Sequence, residues 1–547
     1  MDYVIIGGGA AACVLAERLS RHPACQVCLL EAGPTDTNPL IRAPAGILPL
    51  MHSRQLNWAL HTTPQSALNG RRLFWPRGKT LGGSSAINAM CCTRGQPQDY
   101  NAWAAEDEAL SGWDFPSLLP YFRAIEDHPL GPSPLHGEGG PITVSKLRST
   151  NPLSHAFIKA AQEAGLPANS DFNGAQQEGV GFYHVMQREG QRCSNAHAFL
   201  QPALERPNLH VLTGAQVQRL EMTGQRCTAV HYLSRGKHHR VPVTGEALLC
   251  AGAIHTPQLL MLSGIGPEQE LTQHGIPVKL ALPGVGHNLQ DHLDISVIWH
   301  EQRHHSISLH PRYWPRGYRA LKAYLNQRQG ELTSNLAEAG GFVATNPDSA
   351  RPDVQLHFLP AVEVKHGRQL GPTIRYFGYT LRACLLRPAS RGQIGLSSAN
   401  PSDSPRIDPR YLSEPQDMAG MLRALETARE IMNQPSLSQL GKKEWQPGPS
   451  VTDTSALKRD IRHRAESIYH PVGTCRMGSD AMAVVDPELR IHGLENVRVV
   501  DASIMPRLIS GNTTMPVTAI ASRAADLIRQ KGFENGWNNN LFNQMGS

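Results

Sequence analysis

His470 stands in the run Tyr-His-Pro-Val-Gly-Thr, and Asn512 follows about forty residues later, directly before an apolar, helix-like stretch. An imidazole titrates near neutrality and can give or take a proton at working pH. An amide orients a polar group without titrating. The two therefore suggest a proton-handling pair. A histidine considered alone is more often a buried, satisfied imidazole, so the weight of this reading depends on what the rest of the chain builds around it.

The other terminus supplies that context. Tyr3-Val4-Ile5-Ile6 is a short apolar run, as expected of a buried parallel strand. Gly7-Gly8-Gly9-Ala10-Ala11-Ala12 follows, then a helical stretch from Cys13 to Leu19 and a second strand from Val27 to Leu30 that closes on Glu31 and Ala32. Gly7 allows the tight turn, and Gly9 lets the backbone approach a pyrophosphate at the helix N-terminus. Ala12 takes the third glycine position, where the fingerprint tolerates it. Glu31 falls about 20 residues on, where an acid accepts from ribose hydroxyls. The unit predicts a dinucleotide site, FAD or NAD in preference to NADP, since an acid there repels a 2′-phosphate.

The chain has 547 residues, 40% hydrophobic and 18% charged, which predicts a globular protein of more than one domain. Its net charge of +6 is mild and dispersed, so no nucleic-acid partner is expected. The first strand starts at residue 2, so no signal peptide is expected. There is no apolar stretch of about 18 residues to span a membrane. Ten cysteines then read as reduced thiols, consistent with a cytoplasmic enzyme. The 25 histidines form no zinc pattern by spacing, so no metal site is expected.

Several segments would have to position the chemistry. Arg77 to Asn88 is rich in small residues and could line a phosphate or flavin edge with backbone amides. Leu248 to Gly252 reads as a strand, followed by a helix in which Thr256 caps, Pro257 suits the first turn and Gly264 stops. Val497 to Val500 is another buried strand, ending in Asp501-Ala502 at the carboxyl end, where ligands bind in parallel sheets.

These blocks together resemble the glucose–methanol–choline oxidoreductases, which are FAD-dependent. The N-terminal turn, Gly78 to Asn88, Gly252 to Gly266, and His470 through Asn512 match in order over nearly the whole chain. Asn57-Trp58, Trp75-Pro76-Arg77-Gly78-Lys79 and His357-Phe358-Leu359-Pro360 most resemble the bacterial alcohol and choline dehydrogenase branch, including membrane-associated alcohol dehydrogenases of alkane degradation. The resemblance implies that FAD is met by Gly7, Gly9, Ala10, Ala11, Glu31 and Ala32, by Arg77, Gly78, Leu81, Gly82, Gly83, Asn88, Ala89 and Met90, by Val217 at adenine, and by Asp501, Ala502, Asn512 and Thr513. Some members attach FAD through a His just before the Asn88 position. Ile87 stands there, so non-covalent FAD is expected. Cys92, Thr514 and Met515 depart from the usual signatures.

By the same resemblance His470 is the base, Asn512 holds the substrate oxygen, and a helix from near Pro516 points its N-terminus at the flavin. The implied reaction is oxidation of a primary alcohol, aliphatic or aromatic, to the aldehyde, with electrons passed to a quinone or another carrier. Ile468 and Tyr469 would line the substrate pocket, and Glu338 in Ala-Glu-Ala-Gly-Gly-Phe is a candidate carboxylate for a cationic substrate. An oxygen-using oxidase, a choline dehydrogenase and a hydroxynitrile lyase stay open as alternatives. The implied fold is α/β in two interleaved parts. A Rossmann-like FAD domain takes 1–150, 200–298 and 465–535. A substrate domain with an antiparallel sheet takes 151–199 and 299–464, and 536–547 is a loose tail. Residues 312–324 mix basic and aromatic side chains, a composition that can dock on the inner face of the cell membrane.

Overall fold

Tyr3–Ile6 forms strand β1 with every residue buried, because a parallel strand covered on both faces needs no polar alternation. Helix α1 (Ala10–Leu19) follows the glycine turn, and β2 (Val27–Glu31) returns parallel to β1. The computed structural model describes residues 1–346 and 348–534. The tail expected over 536–547 lies outside the described residues. β3 (Leu209–Thr213), β4 (Glu246–Leu249) and the strand Val497–Val499 complete a five-stranded parallel sheet in the order β3-β2-β1-β4 and then Val497–Val499. The chain leaves β1 toward β2 on one side and meets β4 on the other. That reversal opens a crevice at the carboxyl ends of β1 and β4.

Helix α2 (Gly252–Leu262) follows β4. It begins four residues before the expected cap at Thr256, which leaves Pro257 inside the helix. The reason is a cap from a distant segment: Gly252 N–H donates to Asp501 Oδ2 at 2.8 Å, and the Thr256 hydroxyl donates to the same oxygen at 2.7 Å. The segment from Arg77 to Asn88 forms only a single tight turn, Gly83–Ala86.

A seven-stranded sheet forms the second layer, and all its pairings are antiparallel. Its order is Gly441–Gln446, β5 (Leu293–Glu301), Gly378–Leu385, Val354–Leu359, Ala339–Val343 and Gly179–Phe182, with Glu466–Ser467 also on β5. The helix Pro415–Met432 packs on its outer face. β5 is unbroken and pairs from Leu293 onward with Leu385 and its neighbours. After the earlier strand Gly179–Phe182, the part of the chain that contributes to this sheet runs from Leu293 to Ser467. Helix α3 (Trp314–Gln327) lies beyond β5. Helix α4 (Thr514–Glu534) packs along α1, and it starts at Thr514, two residues before Pro516. No helix among the described residues is long and apolar enough to cross a membrane.

Candidate active site at the meeting of two cavities

The first cavity opens above the β1–α1 turn and is lined by Gly7 to Ala11, Glu31, Ala32, Val217, Asp501, Ala502 and Thr513. Gly7 has φ +94°, and a Cβ there would sit 2.8 Å from the Cys250 carbonyl oxygen, so only glycine fits. α1 has no side-chain cap and no acid in its first turn. Its first backbone N–H groups and the positive end of its dipole are thus available to an anionic group. Glu31 Oε2 accepts from Gly8 N–H and Oε1 from Gly33 N–H, both at 2.7 Å. Each oxygen keeps a further acceptor position. Burial pushes this carboxyl up to about 7. The donor set and the glycine cradle fit a dinucleotide diphosphate with a ribose at Glu31.

The second cavity has apolar walls, Ile47, Leu48, Met51, Ile87, Leu336 and Leu359, and carries Tyr469, His470 and Asn512. Arg77, Ser84, Thr513 and Thr514 border both cavities. The two spaces therefore meet at the N-terminus of α4, whose dipole is suited to developing negative charge.

A strained turn presents His470. Tyr469 has φ +73°, unfavourable for a bulky side chain. It persists because its surroundings over-determine it. Tyr469 N–H donates to Ser467 Oγ at 2.8 Å, and its carbonyl accepts from Arg77 Nη2 at 2.5 Å. Asp291 Oδ1 accepts from His470 N–H at 2.6 Å, while Oδ2 accepts from the hydroxyls of Ser467 and Tyr411.

The ring of His470 has a definite tautomer. His292 Nε2 lies 2.9 Å from the Leu386 carbonyl oxygen, which can only accept. The proton of neutral His292 is therefore on Nε2, and its Nδ1 is an acceptor. His470 Nδ1 lies 2.9 Å from that acceptor and must donate to it. His470 Nε2 is left as the basic nitrogen, and it faces Asn512 Nδ2 at 3.3 Å. Burial, then His292, Arg77 and His357, hold the His470 pKa well below its ordinary value. Burial likewise lowers His292 to about 3. Both rings are neutral at pH 7.

Asn512 is fixed with its amide nitrogen toward that base. Its Oδ1 accepts from Thr93 Oγ1 at 3.2 Å and from Gln355 Nε2 at 3.1 Å, and its backbone N–H donates to Thr93 Oγ1 at 2.7 Å. Nδ2 is left to donate into the cavity beside His470 Nε2. A hydroxyl placed between them meets an acceptor on one side and a donor on the other.

Other expected residues fall elsewhere. Glu338 does not line the second cavity. It is 2% exposed, and its carboxylate accepts from Asn151 N–H, Ser154 Oγ and Ser334 Oγ, each at 2.7 Å. Burial raises its pKa. Leu81 and Gly82 line neither cavity. Their N–H groups go to Pro34 and Gly8 carbonyls, which pins this segment to the glycine turn. Arg77, Gly78 and Gly83 do reach the first cavity. Asn88, Ala89 and Met90 border the second cavity instead, with Ile468. Sequence reasoning missed His292, Gln355 and Thr93, whose roles are defined only by their distant partners. It also missed Trp58 and His255, whose rings pack 4.5 Å apart on the wall of the first cavity. The pair Asp291-His292 in a polar segment was the one available signal.

GMC oxidoreductase family models match residues 1–294 and 388–521. The chain belongs to the GMC oxidoreductases. It is 50% identical over 533 residues to an alcohol dehydrogenase [acceptor] of Pseudomonas putida, covering 97% of this chain and 96% of that one. It is 43% identical to human mitochondrial choline dehydrogenase, covering 96% of this chain and 89% of that one. Among solved structures, pyridoxine 4-oxidase from Mesorbium loti superposes with a TM-score of 0.87 at 33% identity, covering 98% of this chain and 100% of that one. A formate oxidase superposes with a TM-score of 0.90 at 26% identity, covering 97% and 98%. As a GMC oxidoreductase this protein is a flavoenzyme with FAD as its cofactor.

Proposed function

We propose that this enzyme oxidises uncharged primary alcohols, aliphatic or aromatic, to aldehydes on non-covalently held FAD, passing electrons to a quinone or another non-nicotinamide carrier. The observation that carries this reading is the His470–Asn512 pair, 3.3 Å apart at the junction of the two cavities. FAD, when bound, supplies the acceptor for the hydride leaving the alcohol carbon. His470 Nε2 takes the hydroxyl proton. The imidazolium so formed is held by the His292 lone pair, and Asn512 Nδ2 donates to the oxygen as it develops negative charge. Ile87 offers no nucleophile for covalent attachment, which supports non-covalent binding.

The cavity chemistry favours an uncharged substrate. Glu338, the expected partner of a cation, is already satisfied by three donors. Glu363 borders the cavity but is paired with Arg382, whose Nη1 also reaches Asp294 Oδ2 at 2.7 Å. Among the described residues lining this cavity, neither a free carboxylate nor an aromatic cage awaits a quaternary ammonium.

Contact with an anionic bilayer is supported by α3. Trp314, Tyr318, Leu321 and Leu325 are exposed by 66, 70, 44 and 63% and fall on one stripe, beside exposed Arg312, Arg319 and Lys322. Flotation with anionic vesicles at low salt checks it, and a protein that stays in the soluble fraction refutes it.

Anaerobic titration with 1-butanol, 1-octanol, benzyl alcohol, choline and mandelonitrile tests the main reading. Bleaching of the flavin by the uncharged alcohols is expected, and admitting air then separates an oxidase from a dehydrogenase. Bleaching by choline alone would replace the substrate class. No bleaching by any alcohol, with cleavage of mandelonitrile, would make this a lyase.

A further inference from the structure

Among the described residues, one cluster of ligating side chains lies outside both cavities. His128 follows the short strand Glu126–Asp127, Asp171 sits in the loop before Gly179–Phe182, and His184 lies just after that strand. One ligand atom from each falls within 4.8 Å of the others. The three come from separate segments, so their spacing gives no zinc pattern in the sequence. The cluster also contains an orphan: His128 is 4% exposed, and its Nε2 is buried with no hydrogen-bond partner. A buried, unpaired ring nitrogen is costly and calls for an occupant.

We propose that His128, Asp171 and His184 bind Zn²⁺. Two imidazoles and a carboxylate are borderline donors that zinc accepts at about 2.0–2.2 Å, with water in a fourth position. Ligand atoms within 4.8 Å close on such an ion by small side-chain shifts. Asp171 is oriented from behind by His136 Nε2 at 2.8 Å, as carboxylate ligands are in metal sites, and its side chain is 16% exposed, which gives the ion a way in. Binding through His128 Nε2 places the ring proton on Nδ1. The long contact at 3.4 Å from Leu130 N–H is then given up to water, since Leu130 lies in an exposed turn.

The place of the cluster gives the ion a structural task. Asp171 Oδ1 accepts from Asn173 N–H at 3.0 Å, and Asn173 holds Cys92 and Arg94 by bonds of 2.9 and 2.8 Å. The His184 carbonyl accepts from Cys92 N–H at 2.9 Å. Between these anchors Thr93 fixes Asn512. Zinc would tie together the two segments that brace this strap.

The test uses the purified flavoprotein, stripped with a chelator and dialysed against Zn²⁺, with bound zinc counted by mass spectrometry. About one zinc per chain is expected, falling to background in His128→Gln and His184→Gln with flavin content kept. His238→Ala, on the exposed strand Lys237–Pro242, keeps its zinc. Zinc should raise the thermal midpoint of the native protein and not of the two variants. If the native protein binds no more zinc than His128→Gln, or if both variants keep a full zinc, the assignment is wrong and the cluster holds water. Should a glutamine variant lose its flavin, Asp171→Asn carries the comparison. Should that also fail to fold, the native stoichiometry and midpoint shift decide.

Discussion

Replacing His292 by Ala tests the tautomer on which the reaction depends. His292 touches neither the base nitrogen nor the cavity; it acts through His470 Nδ1 at 2.9 Å. Its removal leaves a buried N–H without an acceptor and frees the His470 ring to place its proton on Nε2, where it cannot act as base. The bond lost is charge-assisted once His470 has taken the substrate proton, a contribution of about 1.5–3 kcal/mol. At about 1.36 kcal/mol per tenfold, flavin reduction should slow by roughly 10- to 200-fold. The assay is anaerobic stopped-flow reduction by 1-octanol across pH, with flavin content measured on the same samples. In the native enzyme the rate should rise with pH through a limb below 6.5 and be flat by pH 7, because burial, His292, Arg77 and His357 depress the base. Protonation below that limb abolishes the acceptor lone pair. A His292→Ala enzyme that keeps FAD and reduces it within twofold of the native rate would refute the relay from Leu386 through His292 to His470. A native limb above 6.5 would refute the depressed base.

Three further substitutions probe the site. Asn512→Ala should retain FAD and lower the rate of flavin reduction on the order of 10²-fold, as for other donors to a developing oxyanion; loss of the flavin instead would make Asn512 a cofactor residue first. Gly7→Ala should yield protein depleted of flavin, because φ +94° and a Cβ 2.8 Å from the Cys250 carbonyl cannot both be relieved without moving the turn; a normal absorbance ratio would count against the cradle. Glu338→Gln should leave KM for 1-octanol and benzyl alcohol unchanged within twofold while lowering the thermal midpoint by a few degrees, since an amide cannot accept from all three of its donors. A changed KM with unchanged stability would return Glu338 to the substrate.

The dinucleotide unit was legible because its parts are local. β1, the glycine turn, α1 and Glu31 are contiguous, and strand, turn and helix form there from steric and hydrophobic rules that act over a few residues. His470 and Asn512 could be singled out by type and by the motifs around them. Their joint geometry could not. It depends on Asp291, Ser467 and Tyr411 holding a left-handed Tyr469, and on Thr93 and Gln355 fixing one amide. Those contacts join segments far apart in the chain.

The same limit explains the misplacements. Glu338 and Glu363 are both buried or half-buried carboxylates flanked by apolar and small residues, and sequence patterns do not say which one borders the cavity or what neutralises it. The early start of α2 came from Asp501, just past a strand some 250 residues away, an effect invisible to local capping rules. The start of β5 at Leu293 follows from its pairing with Gly378–Leu385, a register set by packing. The sequence by itself thus determined the cofactor fold and the kinds of group available for proton transfer, because those follow from local conformation and residue chemistry. Only the tertiary structure decided which nitrogen of His470 is basic, which carboxylates are spent, and which three ligands meet near Asn173, because hydrogen-bond partners and charge neighbours are distributed by the fold and not by position along the chain.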